Sequence, residues 1–146
     1  AHEAAGTSDD PAYQEAMMEF YRRHICRLDP WPDELNRTFA KVQQNPEVYA
    51  TMVGPSEFHV VGTLKDWDIT ARLGEIGVPT LVISGEHDEM TPAIADTVRR
   101  GIPGAEAVLV TDASHMVHLE KPSQFLQAVG DFLDRVDQGA STNVGT

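Results

Sequence analysis

The stretch VPTLVISGEHDEMTP, residues 78–92, decides the fold of this chain. Its first part, 78–84, is a compact apolar run with β-branched residues after Gly77, which predicts a strand buried on both faces. The polar segment GEHDEMTP follows it. Thr91 and Pro92 then predict the start of a helix. The Thr91 hydroxyl can accept a hydrogen bond from an N–H of the first turn, and the N–H that Pro92 lacks would have no partner within the helix. The stretch therefore predicts a strand, a loop and a helix in succession.

A second strand and helix follow the first pair. The helix that starts at Thr91 is expected to end near Gly101, and AEAVLV at 105–110 predicts another strand. After Pro122, apolar side chains recur on one face of a final helix: Phe125, Leu126, Val129, Phe132, Leu133 and Val136. This alternation predicts an α/β fold with parallel strands, right-handed crossovers and helices on both faces of the sheet. Because two strands cannot form such a sheet alone, we expect part of the sheet to lie outside this chain.

The residues before the first strand predict a helical portion. Helical spacing predicts helices at 11–27 and 33–44 and a short helical turn after Pro46. The apolar face of the first of these helices contains Tyr13, Ala16, Met17, Phe20 and His24. The segment GPSEFHVVGTLKDWD, 54–68, shows no period and predicts an irregular loop. We therefore divide the chain into a helical portion at 1–67, an α/β portion at 68–137 and a disordered tail at 138–146.

The charge of the chain argues against nucleic acid and membrane partners. The 146 residues include 23 acidic and 11 basic residues, a formal net charge of -12, which repels phosphate backbones and anionic membrane surfaces. No apolar run approaches the roughly 20 residues that span a bilayer, and the start of the chain lacks the basic and apolar regions of an export signal. Cys26 is the only cysteine, so no intrachain disulfide can form, and we expect a cytoplasmic location.

An acid and a histidine follow the two predicted strands. Asp88 lies in GEHDEMTP after the first strand, and His115 lies in DASHMVHLEKP after the second. The carboxyl ends of parallel strands are where α/β proteins place reactive groups. A serine hydroxyl becomes a good nucleophile when an imidazole removes its proton and a carboxylate fixes the tautomer of that imidazole. The order of acid, then histidine resembles the end of an α/β-hydrolase, which makes these two residues candidate members of a catalytic triad.

Simpler roles are open for the same residues. Asp88 could cap the following helix, and His115 could be an ordinary loop histidine. A metal site is a further alternative, since His87 and His118 lie close to them in the sequence. No third ligand has a fixed spacing, however, so the triad hypothesis uses these residues better.

Three motifs together resemble one known family: GPSEFHVVGTLKDWDIT at 54–70, GEHDEMTP at 85–92 and ASHMVHLE at 113–120. With these motifs, the chain from about Tyr13 to Val136 resembles the cap and the final third of proline iminopeptidases and related tricorn-interacting aminopeptidases. The resemblance implies the carboxyl-terminal part of an α/β-hydrolase, in which the helical portion forms the cap, or lid, and the α/β portion belongs to the catalytic domain. It also implies that Asp88 is the triad acid and His115 the triad histidine.

The resemblance further assigns Tyr49, Glu57 and Glu89 to the α-ammonium group of the substrate. Two carboxylates and a phenol can compensate a charged amine that leaves water, whereas an internal peptide bond would leave the carboxylates unpaired. Glu57 could instead be solvated or pair with Lys65, and Tyr49 could pack within the cap. Val53 stands where the family often has Asn, which weakens a strict preference for proline. Four apolar residues are candidates for a side-chain pocket or for ordinary cap packing: Trp31, Met52, Phe58 and Trp67.

The sequence contains neither a nucleophile elbow nor an oxyanion-hole motif. It has no Gly-x-Ser-x-Gly and no His-Gly-Gly-Pro stretch. No elbow context surrounds Ser56, Ser84, Ser114 or Ser123. We therefore expect the nucleophile and the oxyanion hole on a complementary amino-terminal half of the same hydrolase.

These features predict a serine-type aminopeptidase that releases an amino-terminal residue and needs no metal or organic cofactor. Its expected partners are a peptide or aminoacyl-amide substrate with a free amine and the complementary half of the hydrolase. Two alternatives stay open. One is a related amidase that removes an aminoacyl group from a small biosynthetic intermediate, and the other is an inactive interaction fragment of a split hydrolase.

Overall fold

The computed structural model describes residues 2–142, which form two compact units. The first unit contains residues 2–19 and 28–69, and the second contains residues 20–27 and 70–142. This division differs from a single boundary after residue 67, because residues 20–27 belong with the α/β part. Backbone hydrogen bonding explains the difference: the N–H of His115 donates to the carbonyl of His24 at 3.0 Å.

The first unit is built from helices. These are α1 His2–Ala5, α2 Pro11–His24, α3 Asp33–Gln44 and α4 Glu47–Met52, of which α2 continues into the second unit. Helix α2 begins after a capping carboxylate, since Asp10 Oδ1 accepts a hydrogen bond from the N–H of Ala12 at 2.9 Å. The loop after α4 folds back on that helix so closely that a Cβ on Gly62 would lie 2.5 Å from the Met52 carbonyl. Only glycine fits at that position.

The second unit contains the strands and the remaining helices. A 3₁₀ helix, Thr70–Glu75, precedes β1 Leu81–Gly85, α5 Pro92–Gly101, β2 Glu106–Val110, α6 Val117–Glu120 and α7 Pro122–Thr142. The two strands pair in parallel with Leu81 opposite Glu106 and Gly85 opposite Val110, which confirms the predicted parallel arrangement. Helix α5 is the crossover between them, and Pro92 is its first residue as predicted.

The two faces of this small sheet differ in how well they are covered. On one face Val110, Ala113 and Val117 form a buried core, against which Ile83 and Phe125 pack. On the other face an open groove of about 230 Å³ lies beside α5, and its apolar lining comes from Val82, Pro92, Ala95, Ala107 and Leu109. Leu109 is 52% exposed. Burial of the first strand on both faces is therefore not reached within the described residues, because two strands leave one face largely open.

The final helix is longer than the apolar pattern predicts. It continues through Thr142 instead of ending near Val136, so residues 138–142 are helical and not disordered. The rest of the predicted disordered tail, 143–146, lies outside the described residues. Within residues 2–142, no helix combines the length and the apolar character needed to cross a membrane.

Candidate active site

Asp88 lies in the turn that follows β1. Its side chain is buried, with 7% of its surface exposed. Its backbone N–H donates to the Gly85 carbonyl at 3.3 Å, and its Oδ1 accepts from the N–H of Met90 at 2.8 Å. This local turn holds the carboxylate at the carboxyl end of the strand. The Asp88 carboxylate thus accepts a hydrogen bond within this turn and does not cap α5. Thr91, the residue before α5, makes no side-chain capping bond either.

His115 lies in the loop that follows β2, and its ring reaches Asp88. Its Nδ1 atom is 2.9 Å from Asp88 Oδ1. Because a carboxylate only accepts, Nδ1 carries the proton, and the neutral ring then has an unprotonated Nε2 that can accept another. The His115 side chain is 39% exposed, in contrast to its buried partner. The pair therefore combines a shielded carboxylate with an imidazole that solvent or a substrate can reach.

The loops that carry these residues are bonded to each other. The N–H of His87 donates to the Ala113 carbonyl at 2.9 Å, and the N–H of Glu86 donates to the Val110 carbonyl at 3.0 Å. At Gly85 the approach is closest, since a Cβ there would lie 2.3 Å from the carbonyl oxygen of Ser114. The end of β1 thus needs glycine so that the Asp88 and His115 loops can meet.

Ser114 and Glu120 stabilise the histidine loop, and sequence reasoning gave them no positioning role. Ser114 is completely buried. Its N–H lies 3.2 Å from Glu120 Oε1, and its hydroxyl donates to the same carboxylate oxygen through a short contact. Ser114 is thus a loop residue, as expected, whose hydroxyl is occupied by a carboxylate. The signal in the sequence is a serine directly before the histidine and a glutamate at the end of the same motif, ASHMVHLE.

Asp112, at the start of the histidine loop, is surrounded by basic side chains. Its backbone has a positive φ of 53°, and its N–H donates to Glu86 Oε2 at 3.0 Å. Its carboxylate lies 3.0 Å from Lys121 Nζ and 2.7 Å from Arg27. The hydrogen bonds from Lys121 and then Arg27 hold the pKa of Asp112 below its ordinary value. The histidine loop is therefore tied to Lys121, between α6 and α7, and to the segment after α2.

Glu89 directly follows Asp88 and is half-buried in the same turn of the second unit. Tyr49 and Glu57 belong to the first unit, where the structure brings them together. The Tyr49 hydroxyl donates to Glu57 Oε2 at 2.7 Å, and both side chains are half-buried. Among the described residues Glu57 forms no ion pair with Lys65, so the phenol is its observed partner.

Tyr13 lies beside this pair and was predicted only as part of an apolar helix face. Its hydroxyl donates to Glu3 Oε1 at 3.0 Å. Burial raises the pKa of Tyr13 above its ordinary value; the Glu3 hydrogen bond and the charges of Glu3 and Glu57 raise it further, against an opposing hydrogen bond with Ser56. The first unit thus contains a polar cluster of two tyrosines, a serine and two carboxylates.

The remaining predicted residues have plainer surroundings. Within residues 2–142, no group of three or more His, Cys, Asp and Glu side chains is arranged to hold a metal ion. His118 lies against Phe125, with ring centroids 5.9 Å apart. Trp31 stacks on Phe39 within the first unit, with ring centroids 5.6 Å apart, whereas Trp67 is 63% exposed.

Several known proteins with similar sequences or structures are named proline iminopeptidase. The proline iminopeptidase of Saccharolobus solfataricus is 36% identical over 135 residues, which are 92% of this chain and 43% of that protein. The crystal structure of a proline iminopeptidase from Mycobacterium smegmatis matches with a TM-score of 0.87 and 47% identity, covering 95% of this chain and 46% of that one. The crystal structure of VinJ matches with a TM-score of 0.86 and 44% identity, over 92% of this chain and 46% of that one. No protein-family model matches the chain.

These comparisons confirm the resemblance to proline iminopeptidases and the fold class. The chain has the fold of part of an α/β-hydrolase, with a small parallel sheet and flanking helices. It spans under half the length of the relatives it matches, which is consistent with a carboxyl-terminal part.

Proposed function

We propose that the protein containing this chain is a serine-type aminopeptidase that releases the amino-terminal residue of a peptide or aminoacyl amide, as the name of its relatives suggests. The observation that carries the proposal is the hydrogen bond of 2.9 Å between His115 Nδ1 and Asp88 Oδ1. It joins two loops at the carboxyl ends of neighbouring parallel strands, the position at which α/β proteins place catalytic groups. The relatives named proline iminopeptidase support the same reaction class.

The proposed reaction is acyl transfer through a serine. Nε2 of His115 takes the proton of a serine hydroxyl while the serine oxygen attacks the amide carbonyl carbon. Asp88 stabilises the imidazolium that forms. The imidazolium then gives the proton to the leaving amine as the C–N bond breaks. Water attacks the acyl-enzyme with the same histidine as base, releasing the amino acid and restoring the serine. These roles need the unprotonated Nε2 that the hydrogen bond to Asp88 leaves available.

The proposal assigns the ammonium group of the substrate to Tyr49, Glu57 and Glu89. Tyr49 donates to only one oxygen of the half-buried Glu57 carboxylate, at 2.7 Å, so the carboxylate has further capacity to accept. An ammonium group offers three donors and one positive charge. A substrate without a free amine would remove water from these carboxylates without compensating their charge, which favours exopeptidase specificity.

The complementary part of the hydrolase supplies the serine and the oxyanion hole in this proposal. Two observations support a second part: the chain spans under half the length of its relatives, and one face of its sheet is an open apolar groove. Covering Val82, Ala107 and Leu109 with apolar residues would contribute about 25 cal/mol for each Å² removed from water.

Labelling with a serine-reactive phosphonate tests the proposal most directly. In the assembled enzyme, meaning this chain together with the complementary part, the label is expected on a serine outside these 146 residues. His115→Ala should greatly slow labelling, and the labelled enzyme should no longer cleave aminoacyl anilides. A label on Ser56, Ser84, Ser114 or Ser123 would contradict the assignment. Preference for an aminoacylated small amine over every peptide tested would favour the amidase alternative.

A further inference from the structure

His24 makes hydrogen bonds to both of the loops that carry Asp88 and His115. It is the last residue of α2, is half-buried, and belongs to the second unit. Its ring Nδ1 lies 2.7 Å from the carbonyl oxygen of His87. Its own carbonyl accepts a hydrogen bond of 3.0 Å from the N–H of His115. One residue thus holds the peptide group directly before Asp88 with its side chain and the backbone of His115 with its main chain.

The chemistry of these contacts fixes the state of the His24 ring. A carbonyl oxygen only accepts, so Nδ1 of His24 carries the proton and donates to His87. The ring packs against Phe20, with centroids 4.6 Å apart and an interplanar angle of 41°. The imidazole is therefore oriented by an aromatic neighbour and by a directional hydrogen bond.

The second contact, between the His24 carbonyl and the N–H of His115, is possible because His24 lies at the end of α2. The last carbonyls of a helix have no partner within it and seek donors elsewhere. Here the carbonyls of His24 and Ile25 accept from the consecutive N–H groups of His115 and Met116, at 3.0 and 2.9 Å. Ile25 is 5% exposed, so its side of this junction is shielded from water. The loop of His115 is thus anchored to a regular element instead of resting on loop contacts alone.

We infer that His24 is a positioning residue for the triad, an inference that rests on the proposed function. The distance from His115 Nδ1 to Asp88 Oδ1 depends on where two separate loops are held, and His24 bonds both of them. Positional accuracy of this kind matters, since a misplacement of about 1 Å can cost roughly 100-fold in rate. His24 touches neither substrate nor reacting atoms in this scheme; it acts through the two loops.

Three substitutions of His24 distinguish the effect of its Nδ1–H donor from the effect of the volume of its ring. In the assembled enzyme, His24→Ala should lower kcat roughly tenfold to 100-fold with little change in KM, because substrate contacts are intact. His24→Asn places an amide N–H near the position of Nδ1 and should recover most of the loss. His24→Gln carries its amide one bond farther out and should resemble alanine. His118→Ala, in the same region, should keep wild-type kcat.

Proton NMR of the assembled enzyme can monitor the hydrogen bond between His115 and Asp88 without relying on catalytic turnover. The N–H proton between His115 and Asp88 should give a downfield resonance, identified by its loss in His115→Ala. It should broaden or shift in His24→Ala and return in His24→Asn. An unchanged resonance and unchanged kcat in His24→Ala would overturn the inference, as would equal losses in the Ala and Asn variants. If the wild-type enzyme cleaves no aminoacyl anilide, the proposed function fails, and the resonance alone still decides the role of His24.

Discussion

The Nδ1 atom of His115 lies 2.9 Å from Oδ1 of Asp88, although 27 positions separate the two residues in the sequence. Their side chains differ in exposure, with 39% for the histidine and 7% for the aspartate. A buried carboxylate interacts more strongly with its partner than an exposed one, because less water screens the interaction. The aspartate is therefore well placed to hold the ring, and the histidine is well placed to exchange protons with a substrate.

Replacing that carboxylate by an amide should disable the proposed reaction. Asp88→Asn keeps the size of the side chain, but its amide can donate to Nδ1 of His115 and favour the tautomer with the proton on Nε2. We expect kcat of the assembled enzyme to fall about 10⁴-fold, the size of effect that this change has in a well-characterised serine protease triad. Asp131→Asn, the same change at an exposed carboxylate of α7, should leave kcat unchanged. Near wild-type turnover in Asp88→Asn would contradict the triad assignment.

Glu57 should matter only for substrates with a free amine. Glu57→Gln removes the negative charge but keeps a side-chain oxygen. The Tyr49 hydroxyl, which lies 2.7 Å from Oε2 of Glu57, can still donate to that oxygen. Since hydrogen bonds to charged groups contribute about 1.5 to 3 kcal/mol, kcat/KM for aminoacyl anilides should fall roughly tenfold to 100-fold. Tyr49→Phe should cause a smaller loss on the same substrates. An equal loss on amino-blocked anilides would rule out a role in amine recognition.

The charge of Asp112 should stabilise the fold in a pH-dependent way. Lys121 and Arg27 lower its pKa from the ordinary value of 3.8, so folding favours the ionised form. The contribution is complete above pH 3.8 and disappears as the pH falls through the lower pKa of the folded protein. Asp112→Asn is a suitable test, because asparagine tolerates the positive φ of 53° at this position.

Thermal unfolding of the assembled enzyme can follow this effect. The melting temperature of Asp112→Asn should lie below that of the wild type at about pH 7, and the gap should close toward about pH 2. Added salt should narrow the gap as well, since the carboxylate is exposed. A gap that is independent of both pH and salt would show that the charge is not its cause.

Gly85 should tolerate no side chain. A Cβ at this position would lie 2.3 Å from the carbonyl of Ser114 and 2.5 Å from that of Ala113, and backbone atoms cannot move aside as a flexible side chain can. Gly85→Ala should therefore cost about 3 kcal/mol, at the upper end for overpacking. Gly130→Ala in α7 meets no atom within 4 Å and should stabilise by about 0.5 to 1 kcal/mol. Urea unfolding of the two variants gives the comparison, and similar midpoints would contradict it.

Local features of the α/β part could be predicted from the sequence, because they follow from neighbouring residues. The apolar run and Pro92 indicated β1 and the start of α5, and the order of Asp88 and His115 indicated that they would meet. The end of α7 was harder to predict. Its apolar face ends at Val136, while the helix continues to Thr142. A hydrophobic period marks where a helix is buried, and not where its backbone hydrogen bonds stop.

The role of His24 could not be predicted from the pattern around it. Its spacing placed it on the apolar face of α2, and its ring bonds a carbonyl 63 positions away. A contact of this kind leaves no local period, and its partner is a backbone atom that every residue type has. The same reason explains why residues 20–27 join the second unit, since their bonds to the histidine loop are made by main-chain groups.

The open face of the sheet gives a test of the complementary part. Leu109 is 52% exposed in this chain and lines the groove beside α5. If apolar residues of the complementary part cover it, Leu109→Asp would bury a carboxylate without a partner, which costs several kcal/mol. We expect this variant to assemble poorly and to melt at a lower temperature. Val48→Asp is the matched control, because Val48 is 70% exposed on α4 and lies in the first unit. Equal yield and melting temperature for the two assembled variants would show that the groove stays open to water in the whole protein.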